Sequence, residues 1–332
     1  MKTYCAQKSE ITKNGIKASM IGLHKPFHQK LTAALVVCTL AVAIEHLPEA
    51  TAASQTEIQY RRAQRLINQK HLAEGQQILI KLCESPSAPV EALALLAFTY
   101  LAEEKTITDE HLLECEKLAK RAIKIDSEWG TAYKILAQVS NLQDKPALAI
   151  SQSNKALSVK KPEIKAYLQR CLAYEALGKH KEALSDITIY TETHDSSADM
   201  FNLKGSVLVS MKRYDEAIAA YRMSLKKRFS DWTIYRIVDC FEQQHQYDKA
   251  AEELTKLIKV NAADAEAYQT RGRMQGLAKH YKAAIDDYTM AIKLEPTGRF
   301  YKERAALYKL TGKQKEAAED LRKASIEDKS QF

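Results

Sequence analysis

Glycine and proline are scarce in this chain, at 10 and 7 of its 332 residues. A β-rich or loop-rich protein needs more of both, for turns and for strained backbone. Cysteine is sparse too. The six fall at 5, 38, 83, 115, 171 and 240 with no C-x-x-C spacing, which excludes a zinc ribbon or a redox pair. The four beyond residue 52 have apolar helix neighbours and read as buried thiols that act as small hydrophobes. Strong charge of one sign is also lacking. Lys and Arg total 50 against 42 Asp and Glu, the signs are interspersed, and no basic stripe suited to a phosphate backbone appears. No apolar run is long enough to promise a spanning helix. The longest, residues 31–44 (LTAALVVCTLAVAI), would reach about 21 Å as a helix, against roughly 30 Å of bilayer core.

That short run has a context. Lys25 and Lys30 precede it, and Ala50-Thr51-Ala52 follows with a small-x-small pattern. Residues 1–52 therefore read as a secretory leader, with Met20 as an internal start, and the protein is expected to be exported to the periplasm, cell envelope or exterior. The long stretch Glu45–Glu49 before the cleavage pattern keeps a second reading open, an uncleaved anchor that leaves the protein tethered to a membrane. The leader holds six lysines and three glutamates, so its removal lowers the net charge from +8 to +5.

What the chain has in abundance is Ala, Leu, Lys, Glu and Gln in long helix-forming segments. These carry a repeat. Ala149, Ser153, Ala156 recurs as Ala183, Ile187, Tyr190, then as Ala217, Tyr221, Ser224 and Ala250, Leu254, Leu257. It closes with Ala284, Tyr288, Ala291 and Ala317, Leu321, Ala324, at spacings of 34, 34, 33, 34 and 33 residues. An upstream half-motif travels with it: Tyr133…Leu136-Ala137, Tyr167…Arg170-Cys171…Tyr174, Phe201…Lys204-Gly205…Leu208, Tyr268…Arg271-Gly272 and Tyr301…Arg304-Ala305…Tyr308. A period near 34 holds two helices of about 14 residues and two short turns. Turn signals fall between the helices at Leu177-Gly178-Lys179, Met211–Tyr214 and Leu310–Lys313, and Pro296 stops one repeat. Small residues such as Gly205, Gly272, Ala183 and Ala284 let helices approach, and the tyrosines fill the space between them. One such pair cannot bury its apolar face alone, so neighbours must stack.

This pattern resembles the tetratricopeptide repeat, with its bulky-x-x-L-G/A-x-x-Y then A-x-x-x-F-x-x-A signature. The resemblance implies an all-α fold, a right-handed α-solenoid of stacked antiparallel helix pairs. About eight repeats are expected over 56–331: 56–89, 90–129, 130–163, 164–197, 198–230, 231–264, 265–297 and 298–331. The second needs about six extra residues, placed at Glu103–Asp109. The repeats leave no span for a separate catalytic domain.

The sequence carries no G-x-S-x-G, P-loop, H-E-x-x-H or Rossmann glycine run, so no enzyme, cofactor or metal site is expected. His111 and Cys115 lack a third metal ligand, and His180, His245 and His280 read as turn residues. The resemblance instead implies a groove lined by first helices that receives a protein or peptide. It places the groove on Lys134, Gln138 and Asn141, on Lys165, Gln169 and Glu175, and on Asn202 and Ser206. Further along it falls on Trp232, Tyr235, Arg236 and Asp239, on Gln269, Thr270 and Arg273, and on Arg299, Lys302 and Glu303. Trp232 and Tyr235 are the aromatic candidates for anchors, with packing between repeats as the alternative for Trp232. The clamp of Lys, Asn and Arg that grips heat-shock chaperone tails does not match in the register that starts at Lys134 or in the one that starts at Asn202. Starting at Lys134, for example, puts Asp199 and Leu203 where two cations belong, so no such clamp is expected. The protein is expected to be a non-enzymatic scaffold that assists assembly of a complex.

Overall fold

The computed structural model describes residues 54–102 and 107–330. The expected leader lies outside the described residues, as does most of the expected insertion at Glu103–Asp109. The described chain is all-α, and apart from one isolated bridge between Trp129 and Lys161 it contains no strand pairing. It divides into two compact units, one ending at Tyr190 and the other beginning at Thr191.

The first unit runs through α1 (Gln55–Asn68), α2 (Leu72–Glu84), α3 (Val90–Ala102), α4 (Asp109–Ile125), α5 (Gly130–Leu142), α6 (Pro146–Ser158), α7 (Ala166–Ala176) and α8 (His180–Thr193), whose last turn holds the boundary. The second holds α9 (Ala198–Ser210), α10 (Tyr214–Lys227), α11 (Asp231–Gln243), α12 (Tyr247–Val260), α13 (Ala265–Leu277), α14 (Tyr281–Leu294), α15 (Gly298–Leu310) and α16 (Gln314–Ser330). Odd-numbered helices are the first members of pairs and even-numbered ones the second.

Local chemistry sets where these helices start and stop. Ser54, Thr108, Ser230, Asp264 and Thr297 each accept a backbone N–H three residues on and cap a helix start. The turn inside a pair closes the same way again and again, with one residue in the left-handed region: Lys70, Asp144, Gly178, Lys212, His245, Lys279 and Gly312. The next backbone N–H then reaches five residues back, as from Lys145 to Ser140 O, Lys179 to Tyr174 O and His280 to Gln275 O. That is the Schellman closure, which satisfies carbonyls a helix end would otherwise orphan. Between pairs the chain passes through tight junctions. At Gly130 an added Cβ would lie 2.6 Å from both Ala156 O and the Glu163 backbone N, so only glycine fits.

Packing follows the small-and-large alternation. In the first unit Ala63, Leu79, Ala92, Leu93, Ala97, Cys115 and Ala132 are buried in one continuous core. In the second, Tyr221, Ile237, Leu254, Leu257, Met274 and Phe300 are among the largest buried side chains. Gly205 faces the Tyr221 ring, where a Cβ would sit 2.5 Å away. The free thiols of Cys83, Cys115, Cys171 and Cys240 are buried. Burial pushes Cys83 up to about 11 and Cys115 and Cys240 up to about 12, so these thiols stay protonated and act as apolar fillers.

Three arginines of the half-motif hold their pairs together. Arg170 on α7 donates two bonds to Asp186 on α8, both at 2.7 Å. Arg271 does the same to Asp287 at 2.7 Å, and Arg304 to Asp320 at 2.8 Å. The three aspartates are buried. A third N–H from each guanidinium reaches the second helix of the preceding pair, at Asn154, Thr255 and Thr289. Tyrosines cover the cations: Tyr167 and Tyr174, Tyr268, and Tyr301 and Tyr308. The α11–α12 pair departs from the rule. Ile237 stands where the arginine would be, and Glu253 is served instead by Arg222 of α10 at 3.0 Å.

Candidate binding site

Successive first helices within each unit are joined side by side by polar side chains, and this row contains the residues the sequence singled out. In the first unit, Lys134, Gln138 and Asn141 recur at helical spacing and share one face of α5. Asn141 donates to the Gln169 carbonyl at 2.8 Å and to its side-chain Oε1 at 3.2 Å, which ties α5 to α7. Gln138 and Gln169 are both buried. The Gln138 side chain makes no hydrogen bond among the described residues. Lys134 is half-buried. Lost hydration pushes its ammonium below the ordinary lysine value, opposed by Glu163 and reinforced by Lys165.

In the second unit the row is a ladder of bonds. Thr233 on α11 donates to Asn202 Oδ1 on α9 at 3.2 Å, and both residues are buried. Arg273 on α13 holds Glu242 on α11 through both nitrogens, the longer bond being 2.9 Å. Arg299 on α15 holds Glu266 on α13 at 2.5 Å, and Gln269 on α13 donates to Glu303 on α15 at 2.6 Å. Arg236 pairs with Asp239 on its own helix at 2.8 Å, and Lys302 with Asp328 at 2.7 Å. Lost hydration raises the Asp239 carboxyl above its ordinary value, against the pull of Arg236. Four of the amide candidates, Gln138, Gln169, Asn202 and Gln269, are thus buried rather than displayed on an open surface, because an amide at this register meets the neighbouring first helix.

Trp232 packs against the preceding pair and keeps part of its surface open. Its ring lies edge-on to Tyr221 with centroids 6.3 Å apart, and the Arg236 guanidinium sits 5.5 Å from its centroid. It nevertheless stays 37% exposed. Tyr235 is half-buried, and its hydroxyl is buried without a hydrogen-bond partner among the described residues. Burial raises its pKa, with Asp264, Glu266 and Asp231 adding to the effect. No group of three or more His, Cys, Asp or Glu among the described residues could hold a metal ion. No described helix is long and apolar enough to cross a membrane.

Residues 198–226, which span α9 and most of α10, match the family model of the tetratricopeptide repeat. The fold is a tetratricopeptide-repeat solenoid. The C-terminal part of a tetratricopeptide-repeat protein from Cytophaga hutchinsonii superposes with a TM-score of 0.60 over 72% of this chain and 95% of that one, at 13% identity, a likeness of fold alone. Among curated proteins, the Hsp70-Hsp90 organizing protein of Triticum aestivum is 22% identical over 58% of this chain and 33% of its own length. Hsp70-Hsp90 organizing protein 3 of Arabidopsis thaliana is 26% identical over 53% of this chain and 32% of its own. The chain spans about a third of the length of these relatives.

Proposed function

We propose that the protein is a non-enzymatic scaffold that receives an extended segment of a partner protein along the groove lined by its first helices, and so assists assembly of a complex. The observation that carries this reading is Trp232. Its indole is fixed by Tyr221 and Arg236 and still exposes over a third of its surface, as an anchor for an apolar side chain requires. The tetratricopeptide-repeat fold supports it, and so does similarity to proteins named for organising Hsp70 and Hsp90. The pairing of Arg236, Arg273, Arg299 and Lys302 with carboxylates supports a partner other than an acidic chaperone tail in the second unit.

The test is site-specific photo-crosslinking in the full chain, with the reactive side chain at position 232 or at Lys282 on α14. Capture from 232, mapping to one segment of one partner and absent from 282, is the expected result. Equal capture from both positions would move the site off the first helices. We also propose that residues 1–52 direct export and are removed. A native N-terminus at Ala53 by mass spectrometry is expected, and retention of residues 31–47 would favour the membrane-tethered form.

A further inference from the structure

The basic groove candidates of the second unit all end on carboxylates. In the first unit two do not. Lys134 on α5 and Lys165, which precedes the first turn of α7, are both half-buried, and neither side chain makes a hydrogen bond or ion pair among the described residues. The carboxylate beside them is already engaged: Glu163 Oε2 accepts from Thr131 Oγ1 at 3.0 Å, and Oε1 accepts from the Lys165 backbone N–H at 3.2 Å. The two ammonium groups feel each other, since the charge of Lys165 adds to the desolvation that depresses Lys134. Two cations and one committed anion leave the spot with one net positive charge.

The neighbouring side chains give that charge a setting. Lys134, Gln138 and Asn141 form one stripe along α5, and Lys165 and Gln169 a second along α7. At one end the stripes are stitched by Asn141 and Gln169. At the other the two ammonium groups stand unpaired, with the unbonded Gln138 amide between the two ends. A carboxylate seated between two partly dehydrated ammonium groups gains more than one at a wet surface, because the local dielectric is lower and both charge-assisted bonds form together. It would also give Lys134 a direct ion-pair partner, which Glu163, bonded to Thr131 and to the Lys165 backbone, does not supply.

We infer that the α5–α7 face takes an acidic side chain of an extended peptide, its carboxylate between Lys134 and Lys165 and its main chain beside the Gln138 amide. This rests on the groove reading above and sharpens it. The first unit selects for negative charge, and the second, with its candidate cations Arg236, Arg273, Arg299 and Lys302 paired, does not.

The experiment uses the full chain with its lysines carrying isotope-labelled dimethyl groups, read by NMR. Three peptides of about ten residues are titrated in. One is capped at both ends with two central Glu, one is its Gln counterpart, and one is the Gln peptide with a free C-terminus. The Glu peptide should shift the Lys134 and Lys165 signals saturably and bind at least about tenfold more tightly than either Gln peptide (roughly 1.4 kcal/mol). The double change Lys134→Gln and Lys165→Gln should abolish that preference, and Lys134→Arg should keep it. Equal affinity for the capped Glu and Gln peptides, or an undiminished preference in the double variant, overturns the assignment. Equal binding of the free-carboxylate peptide would mean a chain end is read instead of a side chain. Inorganic phosphate competing as well as the Glu peptide would mean that no peptide is read at all. Crosslinking from position 232 reports on the groove independently, so loss of charge preference with crosslinking intact refutes this inference alone.

Discussion

The two units use the same helix pairs and treat the basic side chains of their candidate faces in opposite ways. In the second, Arg273 and Arg299 each reach sideways to a glutamate on the preceding first helix, so positive charge serves as a rung between helices. In the first, an amide pair, Asn141 and Gln169, makes the corresponding tie, and Lys134 and Lys165 make no ion pair among the described residues. A cation already spent on holding the fold offers little to a ligand, and one that is half-buried and unspent has electrostatic energy left to release on binding.

Five substitutions probe this contrast. The largest effect belongs to the feature both units share. Arg170→Met and Arg271→Met each strand a buried aspartate, so each should cost about 3 kcal/mol, seen as local loss of hydrogen-exchange protection in its own unit. Were only one costly, the units would differ in their internal bracing as well as in their faces. Next, Gly130→Ala forces a methyl group against Ala156 O and the Glu163 backbone and should destabilise the first unit by about 2 kcal/mol in chemical denaturation. Since Glu163 orders Thr131 and Lys165, the same change should also disturb any charge preference of the α5–α7 face.

Lys134→Met should instead stabilise the first unit by about 1 kcal/mol, because it removes a poorly hydrated charge that has no direct partner. The sign with pH follows. A lysine whose folded pKa lies below its unfolded one binds fewer protons when folded across that interval. The wild type therefore gains stability as pH climbs from the lowered value to the ordinary one, and the variant lacks that gain. The smallest effect is expected for Arg273→Gln, about 0.5 kcal/mol of loss, since that pair is partly in water. Opposite signs for Lys134→Met and Arg273→Gln would establish that one face holds an unspent cation and the other a structural one. Equal signs would erase the distinction.

The all-α repeat architecture was legible because it rests on spacing. Ala183, Ala217, Ala250, Ala284 and Ala317 recur with the period of a helix pair, and every one of them is buried. The arginine brace is present in the sequence without standing out, because Arg170, Arg271 and Arg304 sit inside the half-motif among its aromatic residues and nothing there marks their aspartates. The signal was an Arg followed by Asp sixteen residues later, three times over, and an Ile237 and Arg222 exchange hid it in the α11–α12 pair. The candidate face was legible as a set of positions, and its chemistry was not. Whether Gln269 shows its amide or spends it on Glu303, or whether Lys134 finds an acid, depends on side chains about 34 residues away and on the rotamers that bring them together.

The third N–H of each bracing guanidinium lands one pair upstream, on Asn154, Thr255 or Thr289. Melting of an upstream pair therefore strips its downstream neighbour of an anchor, and melting of the downstream pair leaves the upstream helix with only a small polar group to rehydrate. Within each unit, loosening that begins on the N-terminal side should spread more readily than loosening that begins on the C-terminal side. Pulled from its two ends, such an array would yield with a preferred direction.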